Sequence, residues 1–499
     1  MEPVDLPWRK ALEDPSTYPH PVRGLQVLET HISVVALTGD YVYKLKKPVD
    51  YGFVNFSSLP LRRKYCEEEL RLNRRTAPEL YLGLAELLRK AGSFRMAVEP
   101  DGRDSGEPVV RMRQFRLEDR LDQIVRRGEL ADDLVEDLTL RVAGLHSSAA
   151  PAGVEMAQSF PERLGAAIRD NFARMPATQQ LQELHEAFES KLEQCGPLLE
   201  VRARKGSVRE CHGDLHLANI CLWHGTPRLF DALEFNESLR WIDVLSDAAF
   251  LFMDLVDSNA SSAAHFFLTR YLEETGDYSG LPAWPLLVAY RAHVRAKVAH
   301  LTSQAAALSP EAIRREEERR EHYTELALRT IEPPRGGIVL LAGLPASGKS
   351  TAALQIARTE GGVRIRSDVE RKRLHEQPSG RYDAAMTRRT YDVLLDHARA
   401  AVAGGLTAVI DATHARRVDR TRAMRLAADL GVPLKIIHCS APMAELEQRL
   451  RARSAAGADA SEADVAVLRQ LAQEWEPFTP EEAAVVTSQQ AGGDRIPRT

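Results

Sequence analysis

The sequence predicts two modules, an α+β module made of two lobes and then an α/β module with a parallel sheet. A length of 499 residues is too great for a single hydrophobic core. The chain has strand-like runs around one helix before about residue 110 and is mainly helical after residue 116. Residues 335–499 alternate short apolar strands with amphipathic helices, as parallel sheets do. The stretch 332–337 breaks helices, so the predicted boundary lies at about residue 334.

The predicted first domain, residues 1–334, divides into a small lobe of about 1–114 and a helical lobe of about 115–334. The predicted elements that define the lobes are strands at 31–38, 41–45 and 109–112, a helix at 61–75 and a β-rich insert at 220–230. A further helix is expected from Ser309, a good N-cap, to about Thr330. The predicted second domain is 335–499.

Composition and charge disfavour several classes of protein. A net charge of -5 and a pI near 6.3 argue against a basic surface along the whole chain, although local basic clusters remain. We expect no signal peptide and no membrane helix, which needs roughly 20 apolar residues. Five scattered cysteines without a C-x-x-C pair predict free thiols and a cytoplasmic location. The spacing of Cys211, His212, His216 and Cys221 is looser than structural zinc sites use.

A phosphate-binding loop is the strongest motif in the sequence. The apolar run Ile338–Ala342 reads as a buried strand, and residues 343–350 match G-x-x-x-x-G-K-[ST] at every position. A helix is expected over 351–358. This order of strand, loop and helix allows backbone N–H groups and the helix N-terminus to bind phosphate.

The loop supplies a set of predicted nucleotide contacts. Lys349 is expected to reach the β- and γ-phosphates and to assist the reaction, and the Ser350 hydroxyl is expected to ligate Mg²⁺. The other residues predicted to hold the nucleotide are Gly343, Ser347, Gly348 and Thr351.

Polar residues follow the next two predicted strands, at the edge where ligands of open α/β sheets bind. Asp368 follows the strand at 363–366, and Asp411 with Thr413 follows the strand at 407–410. One carboxylate is expected to accept a proton from an attacking hydroxyl and the other to orient Mg²⁺ through water. Arg449 and Arg453 are expected to close over the transferring phosphoryl group.

Residues 337–487 resemble the P-loop small-molecule and polynucleotide kinases, which include gluconate-kinase-like enzymes. The matching pieces are the loop itself, Ser367-Asp368-x-x-Arg371, Tyr382 with Thr387 and Tyr391, Asp411-Ala412-Thr413, and 449–453. The resemblance implies that Asp368 is the general base and that Arg371 contacts substrate, together with Asp411 and Thr413.

A second phosphotransfer motif lies in the first module. Residues 211–219 contain H-x-D-x-x-x-x-N, and Asp231 follows after a predicted hairpin. Asp214 is expected to accept the proton of the substrate hydroxyl, and Asn219 and Asp231 are expected to hold Mg²⁺. His212 is expected to brace the loop.

A lysine and a glutamate are needed upstream to hold the nucleotide phosphates. Lys44 and Lys46 lie on the same face of one predicted strand, and the next helix offers three glutamates at 67–69. We predict the pair Lys44 and Glu68. Met112, in the segment expected to form the hinge, is predicted to contact adenine.

Residues 25–330 resemble the aminoglycoside phosphotransferase-like family, especially the version fused ahead of a P-loop domain in bacterial proteins. His-Gly-Asp at 212–214 and Asp-Ala-Leu-Glu at 231–234 indicate a small-molecule kinase, so the resemblance implies a bilobal protein-kinase-like fold. Two features depart from the pattern. No G-x-G-x-x-G loop precedes Lys44, and the substrate regions, about 155–205 and 255–310, carry no recognisable motif.

The predicted function is a bifunctional phosphotransferase that depends on ATP and Mg²⁺ and acts on hydroxyl groups of small molecules. We expect no membrane partner, and a homo-oligomer is compatible with the sequence. One alternative makes one module a nucleotide-bound regulator or scaffold. Another makes the P-loop module a nucleic-acid-end kinase, because basic pairs occur at 371–373, 388–389 and 416–417. These pairs lack the interleaved aromatic residues that stack on bases.

Overall fold

The structure is a computed structural model that describes residues 6–52, 54–90, 92–98, 106–304, 308–375, 384–456 and 464–490, without the side chains of 453–456 and 489–490. The chain forms two compact units. The first comprises Met1–Thr178, Leu199–Asp254 and Arg291–Thr324, and the second comprises Gln179–Leu198, Leu255–Tyr290 and Glu325–Thr499. Within the described residues, no helix is apolar enough over a sufficient length to cross a membrane.

An antiparallel sheet of six strands forms the predicted small lobe. Its strands are β1 (Gln26–Glu29), β2 (Ser33–Leu37), β3 (Tyr41–Lys46), β4 (Tyr81–Lys90), β5 (Ser93–Ala97) and β6 (Glu107–Arg113). They lie in the order β1-β2-β3-β6-β4-β5, and helix α1 (Leu59–Asn73) connects β3 to β4. The predictions of β2, β3, β6 and α1 are confirmed, whereas β1, β4 and β5 were not predicted.

The alternation of side chains along β3 places its two lysines. Tyr43 and Leu45 pack into one hydrophobic core, and Val42 packs with Cys66 of α1 into another. Because neighbouring strand residues point to opposite faces, Lys44 and Lys46 share the face of Val42 and approach α1.

The rest of the kinase-like half is mainly helical, as predicted. In chain order its elements are α2 (Leu121–Arg126), α3 (Asp132–Ser148), α4 (Val154–Gln158), α5 (Phe160–Ala173), α6 (Gln179–Arg204), β7 (Val208–Glu210), β8 (Ile220–Trp223), β9 (Thr226–Leu229), β10 (Trp241–Asp243), α7 (Val244–Asp257), α8 (Ser261–Thr275), α9 (Trp284–Ser303) and α10 (Pro310–Ile331). The predicted hairpin at 220–230 is the pair β8 and β9. The Ser309 hydroxyl accepts the N–H of Ala312 at 3.2 Å and caps α10 as expected.

A parallel sheet forms the core of the P-loop module. Its elements are β11 (Ile338–Ala342), α11 (Lys349–Thr359), β12 (Gly362–Arg366), α12 (Ser367–Leu374), α13 (Ala384–Ala403), β13 (Thr407–Asp411), α14 (Arg417–Leu430), β14 (Leu434–Ser440), α15 (Met443–Ala456), α16 (Val465–Gln473), α17 (Pro480–Ala483) and β15 (Val486–Gln490). The strand order is β12-β13-β11-β14-β15, with β11 central and buried throughout. The predicted fold class, an α+β bilobal kinase-like module followed by an α/β P-loop module, is confirmed.

Side chains from residues 255–290 cover the outer edge of β12. The carbonyl of Gly362 lies 3.0 Å from Nδ1 of His265, and the N–H of Arg364 donates to the Thr269 hydroxyl at 3.3 Å. The Tyr278 hydroxyl donates to the carbonyl of Arg364 at 3.4 Å. An edge strand without such partners presents unpaired backbone groups. Residues 255–290 therefore pack as part of the second compact unit. Whether separately folding domains meet at about residue 334 stays a prediction.

We expect residues 335–499, expressed alone, to be less stable than in the full chain, because the backbone of β12 and the guanidinium of Arg364 lose their partners. Each unpaired buried polar group costs about 1–3 kcal/mol. Thermal unfolding and light scattering of this fragment, with residues 255–499 as the matched control, measure the effect. A monomeric 335–499 fragment that unfolds at the same temperature as the control would contradict the expectation.

Candidate active sites

The phosphate-binding loop is shaped by close backbone approaches. Gly343 has φ +148°, and a Cβ added there would lie 2.2 Å from the carbonyl oxygen of Cys439. Its N–H donates to the carbonyl of Thr413 at 3.0 Å. Gly348, which caps α11, has φ +90°, and Ala346 has φ +64°. Only glycine tolerates the first two positions without strain, so the loop sequence fixes a concave turn of backbone N–H groups.

The surroundings of two side chains in the loop, Ser347 and Lys349, indicate whether a phosphate group fits this turn. Ser347 is buried, and its hydroxyl has no hydrogen-bond partner within the described protein. Buried hydroxyls are normally paired, so this orphan donor suits an oxygen-rich ligand. The ammonium group of Lys349 donates to the carbonyl of Leu344 at 2.7 Å across the loop. The residues present therefore fit the phosphates of a nucleotide.

A cavity of about 430 Å³ opens beside the loop. The predicted site residues that line it are Ser347, Gly348, Lys349, Ser350, Thr351, Asp368, Arg371, Asp411, Thr413 and Arg449. The side chain of Arg453 and the whole of Tyr382, which the sequence also singled out, lie outside the described residues. The structure thus brings together residues from the ends of β11, β12 and β13, as the position of ligands in open α/β sheets predicts.

The two carboxylates of the cavity have different surroundings. Asp368 is partly exposed to the cavity and accepts a hydrogen bond from Arg371 at 3.2 Å. Asp411 is buried, and burial raises its pKa against the charges of Arg364 and Lys349 and a hydrogen bond with Ser350. Asp368 is therefore the carboxylate that an acceptor can reach, while Asp411 lies beside the predicted Mg²⁺ ligand.

Sequence reasoning missed several lining residues of the cavity. Arg416 follows β13 and forms an ion pair of 2.9 Å with Glu474, which follows α16. Asp419 and Gln470 also line the cavity. The sequence showed Arg416 only as part of the basic pair at 416–417, and its place in the loop between β13 and α14 was the available signal.

The catalytic loop of the kinase-like module is fixed from behind by a buried aspartate. Asp247 of α7 accepts the N–H groups of His212 and Gly213, each at 2.9 Å. His146 lies 3.2 Å from the same carboxylate. His146 and Asp247 could bind a metal together with Cys211, but hydrogen bonds to both oxygens of Asp247 account for the cluster. The loop backbone is thus held in one conformation.

Asp214 lies open to solvent at the front of this loop. Its side chain is 39% exposed, and Oδ2 accepts a hydrogen bond from Asn219 at 2.9 Å. His216 lies 3.4 Å from the same oxygen. Partial desolvation raises the pKa of Asp214, yet the two neighbouring histidines, His216 and His212, hold it well below its usual range. A charged carboxylate of fixed orientation is suited to accept a proton.

Asp231 lies opposite, in a conformation that its hydrogen bonds maintain. It has φ +60°, and its N–H donates to the Tyr81 hydroxyl at 3.1 Å. His212 lies 3.0 Å from the carbonyl of Phe230 just before it, and burial lowers the pKa of His212. The His212 ring therefore holds the segment that presents Asp231.

The glutamate that pairs with Lys44 is Glu69, not Glu68 as predicted. Lys44 lies 2.8 Å from Glu69 and also pairs with Asp231, and Lys46 lies 2.8 Å from the other oxygen of Glu69. Burial alone raises the pKa of Glu69, but the two lysines lower it to about 2.

The reason lies in the geometry of α1. Glu69 is three residues from Cys66 and from Leu72, all three are buried, and so it faces the sheet. Glu68 is one residue earlier, turned about 100° around the helix. It pairs instead with Arg71 and Arg240, each at 2.7 Å.

Charge around Asp231 tests whether a divalent cation fits. Lys44 and Lys46 face three carboxylates, because Lys46 also pairs with Glu234. The cluster therefore has one more acidic group than basic groups. Burial raises the pKa of Glu234, and the nearby carboxylates of Glu69 and Asp231 raise it further. Carboxylate and amide oxygens, such as those of Asp231 and Asn219, are ligands that Mg²⁺ prefers. These residues fit the ion.

Met112 lies inside β6, opposite Val42 of β3 and Tyr81 of β4. Its side chain is buried in the core with both of these residues. The N–H of Gln114 donates to the carbonyl of Asp40 at 3.1 Å. The contact of Met112 with adenine stays a prediction.

Known proteins resemble both halves of the chain. The family described as AAA domain matches residues 338–478. Two uncharacterized proteins, from Mycobacterium tuberculosis H37Rv and Mycobacterium bovis, are each 29% identical over 481 residues, which cover 92% of this chain and 92% of each relative. A choline/ethanolamine kinase family protein from Mesorhizobium loti has a TM-score of 0.37 and 12% identity, covering 64% of this chain and 98% of that one. A gluconokinase from Sinorhizobium meliloti 1021 has a TM-score of 0.25 and 16% identity, covering 32% of this chain and 86% of that one.

The family match over residues 338–478 agrees with the predicted P-loop domain in the second part of the chain. The phosphate-binding loop and the family match support ATP binding and phosphoryl transfer.

The run of three glutamates in α1 allows a graded test of the buried ion pairs. Replacing Glu69 with Gln leaves two buried lysines short of a charge, and breaking a buried pair costs about 3–5 kcal/mol. We expect Glu68→Gln, at a partly exposed pair, to cost about 1 kcal/mol, and Glu67→Gln, at an exposed position, to have the smallest effect. Denaturant unfolding measures the order, and all three variants change the net charge equally. Equal stabilities would contradict the assignment of Glu69.

Proposed function

We propose that each module transfers the γ-phosphoryl group of ATP to a hydroxyl group of a small molecule. The observation that carries this proposal is common to both modules. Each has a partly exposed carboxylate, Asp214 or Asp368, and a lysine suited to phosphate, Lys44 or Lys349; in the P-loop module the two line one cavity. Phosphoryl transfer depends mainly on positioning and neutralisation of charge, so these residues support the proposal.

In the P-loop module, Asp368 would accept the proton of the acceptor hydroxyl as its oxygen attacks the γ-phosphorus. The bond from that phosphorus to the β-phosphate oxygen then breaks, and ADP leaves. The hydrogen bond from Arg371 orients Asp368. Lys349 and Arg449, which line the same cavity, would offset the negative charge on the phosphoryl group.

In the kinase-like module, Asp214 would accept the proton in the same way. Asn219 and His216 hold its carboxylate. Lys44, fixed between Glu69 and Asp231, would contact the phosphates. The two modules thus reach the same chemistry with different supports.

The residues that would hold Mg²⁺ differ between the modules. Asp231 and Asn219 would bind it in the kinase-like module, and Ser350, with Asp411 acting through water, would bind it in the P-loop module. A divalent cation held by these residues would offset the negative charge of the phosphates. We propose small hydroxyl-bearing acceptors in the cytoplasm rather than nucleic-acid ends. Arg371 and Arg416, which a nucleic-acid backbone would need as phosphate contacts, each pair with an acidic side chain of the protein instead.

A phosphorylation screen of a metabolite library tests the proposal directly. The full chain is assayed with [γ-³²P]ATP in three forms, namely unaltered, Asp214→Asn and Asp368→Asn. An acceptor used by one module is lost with one of the two variants and kept with the other. If no acceptor is found and one module binds ATP without turnover, that module is a regulator or scaffold.

We expect Lys349→Ala to abolish nucleotide binding and turnover by the P-loop module while leaving the fold intact. Its side chain lines the open cavity, where single substitutions usually have a small effect on stability. Calorimetric titration of ATP·Mg²⁺ into a full chain that also carries Lys44→Met isolates this site. Lys372→Ala, outside the cavity lining, is the matched control. Unchanged binding in Lys349→Ala would refute the assignment of the loop.

Replacing Asp214 and replacing Asp231 should impair different steps, transfer in the first case and ATP·Mg²⁺ binding in the second. Asp231→Ala removes a Mg²⁺ ligand and the partner of Lys44, so we expect it to weaken ATP·Mg²⁺ binding. Asp214→Asn should keep this affinity but slow transfer by ~10²–10⁴-fold, as expected for loss of a positioned proton acceptor. That range corresponds to about 3–5 kcal/mol of activation free energy.

Calorimetry on the full chain carrying Lys349→Ala, which leaves the kinase-like site as the nucleotide site, measures both affinities. If Asp214→Asn loses binding as completely as Asp231→Ala, Asp214 is a metal ligand rather than a proton acceptor. If neither change affects binding or transfer, the kinase-like module does not transfer phosphoryl groups.

A further inference from the structure

A buried ion pair lies directly behind the phosphate-binding loop. Arg364, in the middle of β12, is almost fully buried, and its guanidinium contacts both oxygens of Glu273 at 2.8 and 3.2 Å. Glu273 belongs to α8, where the sequence showed no motif, and its side chain is only 2% exposed. The pair is bidentate, the geometry in which a guanidinium and a carboxylate bind most strongly.

The remaining donor of Arg364 reaches the loop. Its Nη1 donates to the carbonyl of Ser350 at 2.9 Å. Ser350 is the residue whose hydroxyl is suited to Mg²⁺, and that hydroxyl bonds to Asp411. Arg364 also provides the strongest favourable charge on Asp411. One guanidinium is therefore linked to both residues of the proposed Mg²⁺ position.

Glu273 itself is held from several sides. Arg270, one turn earlier in α8, pairs with its carboxylate, and Arg373 of α12 donates to its carbonyl at 2.6 Å. Helix α8 also contacts the edge of β12 through His265 and Thr269. A carboxylate fixed in this way determines where the guanidinium points.

We propose that Glu273 is a positioning residue of the P-loop site, which acts through Arg364 to fix Ser350 and Asp411 for metal-dependent nucleotide binding. This inference rests on the proposed function of the P-loop module. It assigns α8, which lies in the predicted substrate region of the kinase-like half, a role in the other module's site. The alternative is that the pair only stabilises the fold, since buried ion pairs by themselves are weak indicators of function.

Binding measurements with and without metal separate these two roles. The full chain carrying Lys44→Met, which weakens the kinase-like site, is titrated with ATP in excess MgCl₂ and with ATP in excess EDTA. We expect Glu273→Gln to weaken binding of ATP·Mg²⁺ by about tenfold, the value of one hydrogen bond to a charged group, and to leave metal-free ATP binding unchanged. Glu274→Gln, the exposed neighbour, removes the same charge and should change neither.

Each result decides the inference. A loss confined to ATP·Mg²⁺, partly restored in Glu273→Asp, supports it. Equal losses with and without metal, or no loss in a folded variant of lower thermal stability, overturn it. If Glu273→Gln does not fold, the same two titrations are carried out on Arg364→Lys, which keeps the positive charge but cannot form the bidentate pair. Its results are interpreted in the same way. As a separate control, Lys349→Ala is introduced into the chain that carries Lys44→Met and should abolish its binding of ATP·Mg²⁺. If binding persists, the proposed function of the P-loop module is wrong, whatever the result for Glu273.

Discussion

Both candidate sites depend on one constraint, the need of a buried cation for a partner. Lys46 and Arg364 are almost inaccessible to water, and an unpaired charge in such a place destabilises a fold by several kcal/mol, on the order of 3–5. Glu69 in one unit and Glu273 in the other meet this need. Each acid also fixes a second group that a nucleotide would meet, Lys44 in the first case and the backbone of Ser350 in the second. Pairing inside the protein thereby sets the geometry at the surface of the cleft.

The electrostatic surroundings of the two sites nevertheless differ. In the kinase-like module, three carboxylates face two lysines, so a divalent cation relieves repulsion that is already present. In the P-loop module, Lys349 rests on a neutral carbonyl, and the loop offers backbone N–H groups and the hydroxyl of Ser347. These donors are neutral and attract phosphate, while the buried carboxylate of Asp411 lies beside Ser350. The first site is thus arranged around the metal and the second around the phosphates.

The sequence predicted the parts of these sites that consist of neighbouring residues. The loop at 343–350 and the segment at 211–219 fold by local backbone geometry, so their spacing alone determines the arrangement. The partner of Lys44 was mispredicted because three successive glutamates differ only in their angle around a helix. The signal was nevertheless present, since Cys66 and Leu72 bracket Glu69 at a spacing of three residues on the buried face.

The role of α8 could not be predicted, because it depends on which strand of the parallel sheet is at the edge. Strand order is a property of the tertiary fold, and β12 becomes an edge only because β13 lies between it and β11. The sequence of β12 does contain a hint, namely Arg364 between apolar neighbours, where a charged side chain needs a partner from outside the strand. Strand β12 continues directly into α12, which carries Asp368, and Arg373 of α12 donates to the carbonyl of Glu273, so α8 also contacts the element that carries the proposed base. Protection of an exposed edge and placement of a reactive carboxylate are, in this module, consequences of the same packing.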